Sequence, residues 1–149
     1  MRKFFVSIFL ILFAIASFSY SDDHNKEYVY ADIGNETYLL EVANTIKLRF
    51  KGLSDRPGLE KNRGMVFILG WLGEPEFTMR DMQFPLDFIW LKGDQVVDLT
   101  EKVPSPELMG NPKNVAPSEE VDIVIELYSG EIDNSGIKVG DFVHFYELQ

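Results

Sequence analysis

Short apolar segments separated by glycine and proline turns constrain the fold of this chain more than any other feature of its sequence. The clearest segment runs from Val121 to Leu127, where apolar residues occupy every second position. That period is typical of a β-strand with one buried face. The residues predicted to point inward are Val121, Ile123, Ile125 and Leu127, and those predicted to point outward are Asp122 and Glu126.

About seven segments of this kind can be counted, and the helical patterns between them are short. The longest helical pattern places Ile46, Phe50 and Leu53 on one face, which we expect to be buried. A further helical turn is predicted before Gly136. The sequence therefore predicts a mainly β (α+β) protein, with a compact antiparallel barrel-like or sandwich-like sheet and one or two short helices.

The N-terminal residues have the order of a secretory signal peptide. Arg2 and Lys3 precede an uncharged run that ends at Phe18, and small residues follow at Ser19 and Ser21. The run is shorter than the roughly 20 residues that cross a bilayer, although an uncleaved anchor is the alternative. We therefore expect a signal peptide over residues 1–21, a flexible lead-in over 22–27 and one β-rich domain over 28–149. The protein would then be periplasmic or secreted, with no membrane span after removal of the signal.

Charge and composition exclude several classes of function. The chain has 24 acidic and 14 basic residues, a net charge of −10, which argues against binding nucleic acid through its phosphates. It has no cysteine, which excludes disulfides, thiolate zinc sites and thiol nucleophiles. No glycine-rich turn joins a strand to a long helix, so a dinucleotide site is not predicted. Glu131 and Asp133 resemble the start of a calcium loop, but Phe142 stands at its closing position. We expect no metal, no cofactor and a monomer.

The strongest candidate for a site is a group of charged residues around Asp87. This residue opens a strongly apolar strand, where a carboxylate is costly unless it is paired. Arginine is the planar partner that could pair it, either as a structural ion pair or to orient a polar ligand between aromatic walls. The residues predicted to bind such a ligand are Arg56, Phe77, Arg80, Asp81, Phe84, Asp87 and Trp90.

The leading hypothesis is an exported, non-enzymatic module that binds a small ligand or serves an envelope protein. One alternative is a small envelope hydrolase that uses Asp81 and Asp87 as acid and base. Another is a protein-interaction module that acts through the proline-rich loop 104–117. Leu108 and Met109 are large apolar residues in that loop, which must either fold back or meet a partner.

Four motifs, in order along the chain, resemble those of one bacterial and archaeal family. They are Arg49 to Arg56, Gly64 to Phe67, Phe77 to Asp87 and Gly136 to Phe145. The family is domain of unknown function 192, and the resemblance spans about residues 28–147. The sequence departs from the usual family pattern at four positions. Thr78 stands where the family usually has tryptophan, Asp81 where it has asparagine, Met82 where it has threonine, and Ser54 where it has methionine. The resemblance implies a compact β-rich domain, often exported, and implies no activity.

Overall fold

The computed structural model of the protein describes residues 26–106 and 110–147. The predicted signal peptide and the loop residues Leu108 and Met109 lie outside this part of the chain. Within it, no helix is long and apolar enough to cross a membrane.

The described chain is mostly β-structure, with 48% strand and two short helices, which confirms the predicted fold class. The strands and helices follow one another with these bounds: β1 Tyr28–Ile33, β2 Glu36–Ala43, α1 Ile46–Lys51, β3 Arg63–Gly73, β4 Phe77–Thr78, β5 Leu86–Lys92, β6 Gln95–Val103, β7 Asn114–Val115, β8 Val121–Tyr128, α2 Glu131–Ser135 and β9 His144–Tyr146.

Seven of the strands form one sheet in the order β6-β5-β8-β3-β2-β1-β9, and β4 pairs with β7 separately. Neighbouring strands are antiparallel except β2 and β3, which run parallel. Parallel neighbours need a crossover connection, and here it contains α1. The sheet is therefore mixed rather than wholly antiparallel.

The sheet curls until its two ends approach each other. The Val96 amide near the start of β6 donates to the Asp141 carbonyl at 2.8 Å, and Gln95 forms an isolated bridge with Phe142 just before β9. These few contacts do not close a barrel, and the sandwich-like alternative fits.

Both faces of the sheet are covered, so β8 is buried on both sides. Ile125 and Leu127 pack in one core, while Val124 packs with Phe67 and Trp90 in a second core on the opposite face. The inward prediction for Ile125 is confirmed, since it is fully buried. The outward prediction for Glu126 is wrong, because a strand at the centre of a doubly covered sheet has no solvent face.

The apolar face predicted for the first helix is exposed. Ile46 is 70% exposed and Phe50 is 87% exposed, and only Leu53, just beyond α1, is buried. Trp71, near the outer end of β3, is 56% exposed. A helix of six residues in a crossover has little sheet beneath it, so its apolar side chains face a neighbouring cleft instead.

Candidate functional site

A cleft of about 850 Å³ opens on the sheet face that carries the second core. Its volume lies in the range typical of sites for small ligands. One wall comes from α1 and the outer end of β3, and the other from the segment around β4. The floor includes Phe67 and Glu126, and the walls contribute Ile46, Phe50, Leu69, Trp71, Phe77 and Met82 among others.

The first wall is held in place by Arg49, whose guanidinium donates to the backbone carbonyls of Ile68 at 2.8 Å and Leu69 at 3.1 Å. These bonds fasten α1 to β3. The pairing of β3 with β8 shifts register between Ile68 and Gly73. Such irregularities re-aim side chains out of the regular sheet. Phe50 and Trp71 are therefore presented at the rim of the cleft.

The opposite wall depends on an unusual backbone conformation at Asp81, where φ is +60°. Aspartate and asparagine adopt this left-handed conformation more readily than most residues. The Asp81 carbonyl accepts from the Asp55 amide at 2.9 Å, and the Ser54 hydroxyl donates to the Arg80 carbonyl at 3.1 Å. The segment is thus tied to the turn after α1, and the exposed Arg80 side chain lies at the cleft.

Glu126 is the most unusual residue of the cleft. It is only 6% exposed, and its Oε2 atom has no hydrogen-bonding partner among the described residues. Burial raises the pKa of this carboxyl to about 8, against the opposing effect of the Arg56 guanidinium. Glu126 is therefore a buried carboxyl that holds its proton at neutral pH and has a free oxygen atom.

Arg56 lies beside the floor, bound to another carboxylate. Its Nη2 atom donates to both carboxylate oxygens of Glu41, at 3.0 and 2.9 Å. Glu41 is 4% exposed and also has Lys26 at 3.8 Å. Glu41 and Glu126 pair with Met65 from its two sides, on β2 and β8. Arg56 thus neutralises Glu41 and supplies a positive field near Glu126.

Asp87 is fully buried, but its partners are backbone amides rather than the arginine suggested by the sequence. Its carboxylate accepts from the amides of Lys102 at 2.7 Å, Gly130 at 2.9 Å and Ile132 at 3.0 Å. On β5, the neighbouring Phe88 packs in the second core, so Asp87 points to the opposite face of the sheet from the cleft. The structure therefore does not bring Asp81 and Asp87 together.

Of the predicted binding residues, Phe77, Arg80 and Asp81 line the cleft. Phe77 packs edge-on against Phe67, with ring centroids 4.9 Å apart, and Trp90 is buried beneath it. The other predicted residues, Arg56, Phe84, Asp87 and Trp90, are not among the residues that line the cleft.

Sequence reasoning missed Glu126, Phe50 and Trp71. The one available signal for Glu126 was a charge inside the most regular apolar strand, which the alternation assigned to solvent. Phe84, which was predicted to bind a ligand, is instead buried in the second core with Met79 and Met82.

Residues that could bind a metal ion do not come together at the cleft or at another described position. Within the described ranges, no group of three or more histidine, aspartate or glutamate residues is arranged to hold a metal ion. Glu131 accepts a hydrogen bond from the Tyr38 hydroxyl at 2.9 Å, and Asp133 pairs with Lys102. His144 stacks on Tyr146 with ring centroids 5.7 Å apart.

The buried Glu126 carboxyl should make stability fall as pH rises. Its pKa is raised in the folded state, so the folded protein retains a proton that the unfolded chain has lost above its ordinary value of 4.5. The stabilisation is complete below that value and is lost as pH rises to about 8. We expect a loss of about 2 kcal/mol between pH 6 and pH 8 that is absent in Glu126→Gln. Urea denaturation of both proteins across this range measures it, and parallel curves would contradict it.

Fold and cleft together define a small, mixed β-sheet domain with a ligand-sized cleft on one face. The chain belongs to the uncharacterised ACR family, domain of unknown function 192, whose family model matches residues 29–145. No curated protein matches the sequence.

Two solved structures are similar to the chain. A protein described as a candidate transcription regulator from Sinorhizobium meliloti has 24% identity and a TM-score of 0.70, over 81% of this chain and 94% of that one. A protein of unknown function from Novosphingobium aromaticivorans has 26% identity and a TM-score of 0.67, over 80% and 84% of the two chains. The first likeness concerns the fold alone.

Proposed function

We propose that the protein is an exported, non-enzymatic module that binds a small ligand in the cleft above Glu126. The observation that carries the proposal is a buried carboxyl with an unpartnered oxygen at the floor of a ligand-sized cleft. Buried polar groups nearly always have partners, and each exception calls for an explanation. A ligand that fills the cleft would supply the missing partner.

The exposed aromatic rim supports this proposal. Phe50 and Trp71 are large apolar residues that remain mostly in solvent at the rim of one wall of the cleft. Exposed apolar groups that converge on a concave surface are typical of binding sites. A ligand that covers them gains about 25 cal/mol for each Å² of apolar surface removed from water.

The positive charge of Arg80 at the rim favours a ligand with an anionic or strongly polarised group. Arg80 is exposed at the cleft, and among the described residues no hydrogen bond or ion pair occupies its guanidinium. The chain as a whole has a net charge of −10, so the positive charge of Arg80 contrasts with the negative potential around most of the protein. It would attract an anionic or strongly polarised group on the ligand.

The hydrolase alternative has less support. Acid–base hydrolysis by a carboxylate pair needs both groups at one substrate. Asp81 lies at the cleft, whereas the Asp87 carboxylate is occupied by backbone amides on the other face. The interaction alternative depends on Leu108 and Met109, which lie outside the described residues.

Replacing Trp71 with alanine should weaken ligand binding about tenfold, because one aromatic wall is lost, and should leave stability nearly unchanged. A fragment library screened by NMR identifies ligands, and the two tryptophan indole signals distinguish the cleft from the core, since Trp90 is fully buried. Phe142→Ala is the matched control, because Phe142 is 65% exposed and outside the cleft. Equal binding by both variants would refute the proposed site.

Export is the second part of the proposal. It rests on the order of a basic start, an uncharged apolar run and small residues over 1–21. We expect the mature protein to begin near Asp22. Intact-mass analysis of protein recovered from the envelope fraction measures this, and a mass that retains residues 1–20 would contradict it.

A further inference from the structure

We infer, on the basis of the proposed cleft, that its ligand combines an apolar body with an uncharged or anionic hydrogen-bond acceptor, and that Glu126 recognises the acceptor by donating its carboxyl proton. The acceptor class comprises carboxylates and carbonyl groups. Cationic ligands, such as protonated amines, are excluded, because they offer no acceptor for this proton and would lie near the cations Arg56 and Arg80.

The first step is the position of the carboxyl. Glu126 extends from the centre of β8, between β3 and β5, so the strand that carries it is fixed by hydrogen bonds on both sides. It lines the cleft beside Phe67, and a side-chain carbon built on Gly52 would come within 3.9 Å of its Oε2 atom. The free oxygen atom therefore lies next to Gly52, at the boundary of the cleft.

The second step is the proton. An ionised carboxylate accepts hydrogen bonds only, whereas a protonated carboxyl can donate one. Burial holds Glu126 in its protonated form at neutral pH. A donor without a partner at the floor of a cleft is complementary to an acceptor, and an anionic acceptor makes the stronger, charge-assisted bond.

The third step is the surrounding charge. The Arg56 guanidinium acts directly on Glu126 and is itself bound to Glu41. One cation, Arg56, therefore acts on Glu126 at the floor and another, Arg80, lies at the rim, which disfavours an amine there. The other charged groups of this region are Arg56 and its partner Glu41, together with the cleft-lining residues Arg49, Lys51, Glu76, Arg80 and Asp81.

The apolar body follows from the walls. Phe50, Trp71 and Phe77 give the cleft three aromatic side chains above the carboxyl. Flat apolar groups pack well against such rings. An aromatic or aliphatic chain that ends in a carboxylate or amide fits both the walls and the floor.

Three probes with one skeleton separate the possibilities: 3-phenylpropanoate, 3-phenylpropanamide and 3-phenylpropylamine. Compounds of this size bind in the millimolar range, which NMR titration of the Trp71 indole signal can measure. We expect the acid and the amide to bind and the amine not to bind. Their affinity should fall about tenfold between pH 7 and pH 9, as Glu126 loses its proton with a pKa of about 8.

Glu126→Gln is the matched control, because its amide donates a hydrogen bond but does not titrate. We expect this variant to bind 3-phenylpropanamide at pH 7 within about threefold of the wild type, with no change up to pH 9. The other charged groups of the cleft are unchanged in it, so a pH response that disappears belongs to Glu126. Should the variant fail to fold, infrared difference spectra of the wild type report the Glu126 acid C=O band directly.

Several results would overturn the inference. Binding of 3-phenylpropylamine that strengthens with pH would show a cation site, and affinities that stay constant from pH 7 to pH 9 would show that Glu126 does not donate. Either result leaves the proposed function intact if Trp71→Ala weakens binding of the same probe, followed by the NMR signals of the probe itself, and Phe142→Ala does not. If none of the three probes shifts the Trp71 signal at saturating millimolar concentration, the acceptor class is wrong, and the fragment screen decides separately whether the cleft binds ligands.

Discussion

Replacing Asp87 with alanine is expected to lower the free energy of unfolding by about 3–5 kcal/mol, since one buried and two partly buried backbone donors lose their fully buried acceptor. Lys102, one of the donors, has a φ of +53°, a strained conformation for lysine that the bond to Asp87 helps to hold. The other two amides belong to Gly130, the residue just before α2, and to Ile132 in the first turn of that helix. One carboxylate thus fixes the edge of β6 and the start of a helix together.

Chemical denaturation at neutral pH measures this loss. Asp87→Asn should fall between the wild type and the alanine variant, because one amide oxygen replaces two carboxylate oxygens. Asp94→Ala is the matched control, since Asp94 is an exposed aspartate in the β5–β6 turn, and it should change stability by less than about 0.5 kcal/mol. An Asp87→Ala variant as stable as this control would show that the amides find other partners.

Gly64→Ala is expected to cost about 3 kcal/mol or more, through overpacking at the centre of the sheet. A methyl group built on Gly64 would lie 2.5 Å from the Glu126 carbonyl oxygen and 2.7 and 2.8 Å from methyl groups of Leu127 and Leu40. The carbonyl belongs to the backbone of β8, so it can move only if β3 and β8 separate. Glycine is therefore required here by space, without any special backbone angle.

Gly58→Ala provides the matched control, because nothing lies within 4 Å of a methyl group at that position. This variant should be neutral or stabilised by up to about 1 kcal/mol, through the reduced freedom of the unfolded chain. Thermal and chemical denaturation of the two variants, with circular dichroism to check folding, compares them. Equal stability of Gly64→Ala and Gly58→Ala would contradict the close packing of β3 and β8.

The strands could be predicted because alternation is a local property of the sequence, as in the segment around Ile125. The order of the strands in the sheet could not be predicted, because no local pattern encodes that β2 and β3 run parallel with α1 between them. The same limit explains the error at Phe50. The periodicity correctly indicated an apolar helical face, but whether that face meets a sheet or a cleft depends on the crossover.

Part of the candidate site could be predicted from the sequence. Phe77, Arg80 and Asp81 were predicted to bind a ligand, and all three line the cleft. Burial of Asp87 was also predictable from the apolar strand that it opens. Its partners were not, because the amides of Lys102, Gly130 and Ile132 come from distant parts of the chain. Glu126 was missed because alternation assigns every second residue to solvent, which fails where both faces of a sheet are covered.

The contact between the two ends of the curled sheet also bears on how the protein behaves at high concentration. An unpaired strand edge can recruit a strand from another molecule and begin aggregation. At the start of β6, the backbone forms hydrogen bonds with the chain that precedes β9. In the middle of the strand, the Asp98 carboxylate accepts from the Ser118 amide at 2.8 Å. Near its end, the strained backbone of Lys102 interrupts the regular strand conformation. The opposite edge strand, β9, has only three residues. Both edges are therefore poor templates for intermolecular pairing, which gives a cysteine-free domain protection against self-association through its own backbone.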